Sequence, residues 1–285
     1  MKPAPFVYHA PTTVDEAVAL LADPAMEERQ IIAGGQSLVP AMAYRYAQPD
    51  NLIDINNVTG LETLSADGAE LSIGATVRHA AFHQPVEEGP LGRLLSVVVR
   101  SISHYPIRTR GTFCGSLANA DPASEWCLVA ATLGAEFHAK STRGVRVIEN
   151  EDYFQGFMTT ALLPDELLVE TRIPLLAADT RFGFYEFSRR AGDFAIGMAL
   201  ATYRLEEGLI VAPRVGIGGI EEKPRRVAEV EAALVGRPPT NESFRVAAEA
   251  VAANLKPIED HQTTAEYRRD LAGTAIRRAL ERAAV

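Results

Sequence analysis

Apolar positions first recur at helical spacing at Val14, Ala17, Val18 and Leu21, and Thr13 with Glu16 three residues later forms a capping-box pattern ahead of them. A helix after Pro11 is predicted. Residues 31–33 are a short apolar run that stops at Gly34 and Gly35, and residues 52–55 are a second strand candidate closed by Asn56 and Asn57. Helix, strand, turn and strand in that order give the opening an α/β character. Residues 71–74 read as a further strand, and Leu91, Leu94, Leu95 and Val98 line one face of a helix. Asp121 is placed to cap a helix that starts at Pro122, runs through the apolar residues 126–133 and ends near Gly134. Strands at 135–139 and 145–148 about a turn at 141–144 predict a hairpin.

Beyond Arg181 the texture changes. Strand-like stretches at 182–188, 198–205 and 209–220 come first, and helical runs at 227–234, 242–255 and 264–283 follow, the order of an α+β layer. Two domains are expected, 1–176 and 177–285, the second with a three-stranded sheet and helices. A length of 285 residues suits two units.

Composition narrows the chemistry. Hydrophobic residues make up 47% and charged residues 23%, ordinary for a globular chain, and the net charge of -9 argues against nucleic acid, which a basic face normally binds. The phosphate of a small cofactor stays open, because backbone N–H groups bind it without local positive side chains. No stretch approaches the roughly 20 apolar residues that cross a bilayer. Residues 1–10, with Pro3 and Pro5, do not resemble a signal peptide, so a soluble cytoplasmic protein is expected. Cys114 and Cys127 have no Cys or His at ligand spacing, which argues against a zinc or iron–sulfur site, and in a cytosolic setting two buried free thiols are expected rather than a disulfide between them.

Candidate chemistry lies in two Gly-rich segments. Ala33, Gly34, Gly35, Gln36 and Ser37 directly follow a strand, where a chain without Cβ atoms can bring several N–H groups to an anion, with the Ser37 hydroxyl and Gln36 amide beside them. The segment is neither a Walker loop nor a Gly-x-Gly-x-x-Gly turn. The second runs from Arg110 through Gly111, Thr112, Phe113, Cys114 and Gly115 to Ser116. Two such loops roughly eighty residues apart suggest one pyrophosphate clasped from two sides.

Here a family resemblance becomes specific. Ala33-Gly-Gly-Gln-Ser-Leu-Val-Pro40, then residues 49–56 (Pro-Asp-Asn-Leu-Ile-Asp-Ile-Asn), then Gly111-Thr-Phe-Cys-Gly-Ser116 with Asp121 and Pro122, closely resemble the FAD-binding medium subunits of the carbon monoxide dehydrogenase and xanthine dehydrogenase group of molybdenum hydroxylases. Residues 189–195 (Arg-Arg-Ala-Gly-Asp-Phe-Ala) are similar to that group's paired-arginine motif. The resemblance covers essentially the whole chain. It implies a two-part FAD-binding domain of the vanillyl-alcohol oxidase and para-cresol methylhydroxylase type and a smaller α+β C-terminal domain. It implies FAD in a cleft between the two domains, with Ala33 to Leu38 and Gly111, Thr112, Cys114, Gly115 and Ser116 at the diphosphate. Glu125, nine positions after the second loop, is implied at the sugar-like portion, with Asp121 as the neighbouring alternative. Ile102, Leu167 and the aromatic pair Phe184 and Tyr185 complete the implied cofactor contacts.

Implied too are partners: a small subunit with [2Fe-2S] clusters and a large molybdopterin subunit, in a dimer of heterotrimers. The chain's role would be an oxidoreductase subunit that relays electrons. A free-standing flavin oxidoreductase is the first alternative and a non-enzymatic nucleotide-binding module the second. Two departures bear on the site. Many relatives carry two glycines where this chain has Cys114 and Gly115, and a positive φ there would strain the cysteine. Some relatives carry Tyr-x-Lys where this chain has Phe184, Tyr185 and Glu186, so the aromatic surface survives and the cation is lost.

Blander readings accompany other candidates. His79 and His83 have helical metal-pair spacing without a third ligand, so a surface helix is the better reading. Arg108 and Arg110 are either phosphate neighbours or solvated charges. Arg189 and Arg190 are candidates to pin the domains together through an acid such as Asp193. Residues 216–219 (Gly-Ile-Gly-Gly) read as a bulged strand with close backbone approach.

Overall fold

The capping box at Thr13 forms: its hydroxyl accepts from the Glu16 N–H, and the Glu16 carboxylate accepts from the Thr13 N–H. It starts helix α1 (Val14–Ala22), whose Ala17, Val18 and Leu21 are buried. The computed structural model describes residues 2–261 and 263–284. Parallel strands need crossovers between them. Accordingly α1 joins β1 (Val7–His9) to β2 (Arg29–Ile32), and α2 (Leu38–Ala43) joins β2 to β3 (Asn51–Asp54). β3 pairs in parallel with both neighbours, so β2 is left as a sheet edge.

A second sheet follows. β4 (Leu64–Asp67) and β5 (Glu70–Gly74) lead through α3 (Pro90–Val98), α4 (Tyr105–Arg108), α5 (Phe113–Asn119) and α6 (Glu125–Leu133) to the hairpin β6 (Glu136–Ser141) and β7 (Gly144–Ile148). After α7 (Asn150–Tyr153), β8 (Phe154–Gly156) and β9 (Thr159–Thr160), β10 (Leu167–Pro174) returns to the middle of an antiparallel sheet ordered β4-β5-β10-β6-β7. Sequence reading took the first unit to close near Pro174 without seeing this strand. Glu170 and Arg172, which pair with each other, interrupt its apolar pattern.

The C-terminal sheet is an antiparallel meander of β11 (Arg181–Ser188), β12 (Ala195–Glu206) and β13 (Leu209–Gly218), to which a two-residue β14 (Arg225–Arg226) adds a fourth strand not expected from sequence. Helices α8 (Ala228–Leu234), α9 (Asn241–Glu249) and α10 (Ala265–Ala283) cover one face. The expected run to residue 255 is too long, since α9 ends at Glu249. Alternation along β12 sends Ala199, Ala201 and Tyr203 to those helices and Met198 and Leu200 into the core of the first domain. The sheet is therefore buried on both sides, and its two faces belong to different cores.

The glycines near the end of β13 make the approach of α6 possible. A Cβ at Gly216 would lie 1.9 Å from the Thr132 hydroxyl of α6. Close approach is thus the reason for the glycines, while the bulge lies elsewhere, between Thr202 and Arg204 of β12. Asp121 and Pro122 also differ from expectation: α6 starts at Glu125 with Ser124 as its cap residue. Asp121 Oδ1 accepts from the Ala123 N–H at 2.9 Å, closing a local turn that delays helix entry.

Candidate functional site

The first Gly-rich segment leaves the edge strand β2 and enters α2, and its conformation demands glycine twice. Gly35 has φ +71°, a left-handed value that side chains disfavour. A Cβ on Gly34 would stand 2.5 Å from the Arg110 carbonyl oxygen and 2.6 Å from the Gly111 Cα, so the two Gly-rich segments meet at this residue. Within the first segment the Gln36 amide donates to the Gly34 carbonyl at 3.0 Å, and the Asn56 amide donates to the Ala33 carbonyl at 2.8 Å. The N–H groups of Gly34, Gly35, Gln36 and Ser37 have no acceptor among the described residues.

The second segment is the first turn of a helix rather than an open loop. Thr112 caps α5, its hydroxyl accepting from the Gly115 N–H at 3.0 Å. Cys114 is helical, so the strain considered for a positive φ does not arise. Its thiol points into the core, 3.4 Å from the Ile73 carbonyl and the Thr171 hydroxyl, and burial pushes its pKa up to about 12. Cys114 and Cys127 are both buried and unpaired. The N–H groups of Thr112 and Cys114 have no acceptor among the described residues.

Between the segments lies a cavity of about 860 Å³. Ala33 to Leu38, Gly111, Thr112, Cys114 to Ser116 and Leu167 line it, as do the four residues of β2. Every lining residue belongs to the stretch 21–168, so the cleft sits within the first domain. The C-terminal sheet does not line it, because the inner face of that sheet is packed on α6.

Five expected contacts are not among the residues that line this cavity. Ile102 is buried in the core, in a loop whose carbonyls Arg108 binds (Ile102 at 2.8 Å, Ser103 at 2.9 Å), which gives Arg108 a structural task. Asp121 closes its turn as described. Strand alternation explains Phe184 and Tyr185: Phe184 enters the first domain's core, whereas Tyr185 faces α10, with the Arg282 guanidinium 4.9 Å from its ring centroid. Glu125 begins α6 and faces Glu186 of β11. Burial, and then the other carboxylate, push the Glu125 carboxyl well above its ordinary range, and burial raises Glu186 as well.

Arg189 pairs with Asp193 inside its own loop at 3.8 Å, both exposed, and so does not pin the domains. The same loop reaches the first domain through Gly192, where a Cβ would lie 2.5 Å from the His104 ring. Two residues on, Phe194 is 70% exposed, an open aromatic face that neither Phe184 nor Tyr185 offers.

Sequence reasoning passed over His79 as half of a surface pair, yet it is buried in a 3₁₀ turn and lines the cavity. Trp126 Nε1 donates to its Nδ1 at 2.9 Å, so the neutral ring carries its proton on Nε2, beside Gly111. Burial first, and the Arg78 and Arg108 charges next, hold its pKa down to about 4. The signal available in the sequence was the Arg78-His79 step preceding an apolar turn, which is too common to single out. His83 instead accepts from Arg108 Nε at 3.1 Å, and no cluster able to hold a metal occurs among the described residues.

Known proteins bear directly on this arrangement. Residues 4–176 match the family described as "FAD binding domain in molybdopterin dehydrogenase" and residues 182–283 match "CO dehydrogenase flavoprotein C-terminal domain". The chain is 38% identical over 285 residues to the caffeine dehydrogenase subunit beta of Pseudomonas sp. (strain CBB1), covering 100% of this chain and 96% of that one. It is 37% identical to the nicotine 6-hydroxylase medium subunit of Paenarthrobacter nicotinovorans, over 96% of this chain and 95% of that one. A chain of carbon monoxide dehydrogenase from Hydrogenophaga pseudoflava superposes with a TM-score of 0.94 at 33% identity, covering 99% and 98% of the two chains.

Proposed function

This chain belongs to the family of FAD-binding medium subunits of the molybdenum hydroxylases, and from that premise we propose that it is the electron-relay subunit of such a complex. The chemistry FAD supplies in that role is to take electrons from [2Fe-2S] clusters on a small subunit, filled in turn by a large molybdopterin subunit, and to release them to an external acceptor. The complex is a cytoplasmic dimer of heterotrimers, and the chain divides at about residue 176.

The observation that carries this reading is the contact of Gly34 with Arg110 and Gly111 at the wall of a cavity where unpartnered N–H groups collect. Such N–H groups suit the diphosphate of FAD, since oriented backbone donors bind an anion with no local cation. Gly34, Gly35, Gln36, Ser37, Thr112 and Cys114 supply backbone donors, Ser37 adds its hydroxyl and His79 its Nε2–H. Leu38 and Leu167 give apolar wall, and β2 offers its free edge to the adenine end. Phe194 supplies aromatic surface for the ring end at the seam.

Isolation under native conditions from the source cell tests the assignment. Molybdenum and iron should accompany the chain, with about one FAD per chain. A single flavin-loaded chain, fully active without other subunits, would identify a free-standing flavin oxidoreductase instead.

A further inference from the structure

Behind the cavity, two side chains that do not line it tie its walls together. Asn56 Nδ2 donates to the Ala33 carbonyl at 2.8 Å and also to Asp54 Oδ1, while Asn56 Oδ1 accepts from Arg78. The other end of the same guanidinium donates to the Arg110 carbonyl. The amide orientation is fixed, because reversing it would set its oxygen against two acceptors and its NH₂ against a guanidinium. Asp54 is held in turn by the Tyr8 hydroxyl at 2.7 Å and by the Asn56 N–H at 2.9 Å.

The consequence for the cavity follows from peptide geometry. In a trans peptide the C=O and the next N–H point in opposite directions. Anchoring the Ala33 carbonyl to Asn56 therefore turns the Gly34 N–H away from Asn56. Anchoring the Arg110 carbonyl fixes the atom that Gly34 approaches most closely. Gly111 N–H is already bonded to the Ile107 carbonyl at 2.8 Å, so its contribution is position and not donation.

We propose that Asn56 and Arg78 are positioning residues of the diphosphate site, forming one brace that fixes the spacing of the two Gly-rich segments and the direction of the Gly34 N–H. This deepens, and rests on, the reading that FAD occupies the cavity. Preorganised donors need not be reordered when the anion arrives, which is where the brace acts on affinity. Arg78 also carries a charge that attracts phosphate at a distance, and charge alone would require neither Asn56 nor a fork of donors.

The test is FAD binding by the full-length chain, read from flavin fluorescence at low and high salt, with apo melting temperature measured alongside. Asn56→Ala and Arg78→Lys should each lose about 10- to 100-fold in affinity, the range of a charge-assisted hydrogen bond. The double variant should be no weaker than the worse single one, because both break the same brace. ADP affinity should fall by the same factor, and AMP affinity, which involves no diphosphate, should not fall. Arg78→Lys keeps the charge and serves where Asn56→Ala lowers the melting temperature. Wild-type affinity in Arg78→Lys, or unchanged ADP affinity in Asn56→Ala, overturns the brace while leaving FAD in the cavity. Failure of the wild-type chain to bind FAD would instead remove the reading beneath it.

Discussion

Glu125 at the start of α6 and Glu186 on β11 bring two buried carboxyls face to face across the seam between the two domains. Two such groups in contact cannot both be charged cheaply, so the pair retains a proton near neutrality. That shared proton makes the seam sensitive to pH.

Stability of the apo chain should follow that proton. A carboxyl whose folded pKa is raised binds its proton more tightly in the folded state, so its contribution is complete below the ordinary glutamate value of 4.5 and is lost as pH rises toward about 7. The loss should be read as a falling melting temperature between pH 5 and 8. Glu186→Gln should flatten that slope. An equal slope in the variant would show that other groups cause it.

Gly34→Ala and Gly35→Ala fail for different reasons. At Gly34 the methyl meets backbone, which cannot swing aside, so the two segments must part and FAD affinity should drop about 100-fold. At Gly35 the φ of +71° costs an alanine roughly 1–2 kcal/mol, which should appear as lower stability with a smaller loss of affinity. Calorimetric titration with FAD and thermal melts of the same samples separate the two.

His79 and Trp126 offer a direct optical readout, since Trp126 is the one tryptophan in the chain. His79→Ala leaves the Trp126 N–H buried without its acceptor, at a cost of about 1–3 kcal/mol, and removes a donor from the cavity wall. The pH sign opposes that of the carboxyl pair. A histidine whose folded pKa is depressed to about 4 stabilises fully above its ordinary value of 6.5 and loses that contribution as pH falls toward 4. Trp126 emission followed during acid titration should show the loss in the wild type and not in His79→Ala.

Tyr185 and Phe194 should behave oppositely. Tyr185→Leu breaks the stacking with Arg282 and lowers stability by about 1 kcal/mol, with FAD affinity unchanged. Phe194→Ala removes an exposed ring, leaving stability nearly unchanged while altering the flavin absorption bands and their fluorescence quenching. Spectra of both reconstituted variants decide which aromatic meets the ring.

The sequence was legible where the signal is local. The Thr13 capping box, the β6–β7 hairpin and the close approach at Gly216 depend on neighbours within a few residues or on glycine itself. Both Gly-rich segments were recognisable, and the structure brings them into contact. What long-range pairing decides was not legible. β10 lies central because β5 and β6 flank it, although its own Glu170 and Arg172 look exposed. Tyr185 turns toward α10 because strand alternation offers two faces, and a sequence does not say which face meets which layer. Asp121 chose its own turn over the helix, two outcomes that the same residue favours equally.

The most direct test of the central claim is the visible spectrum of the chain produced alone, followed by release and identification of any chromophore and titration with added FAD. Oxidised-flavin bands with about one FAD released or taken up per chain, and uptake weakened about 100-fold in Gly34→Ala, are the result predicted from the cavity between the two Gly-rich segments. A colourless chain that also fails to take up added FAD would contradict it.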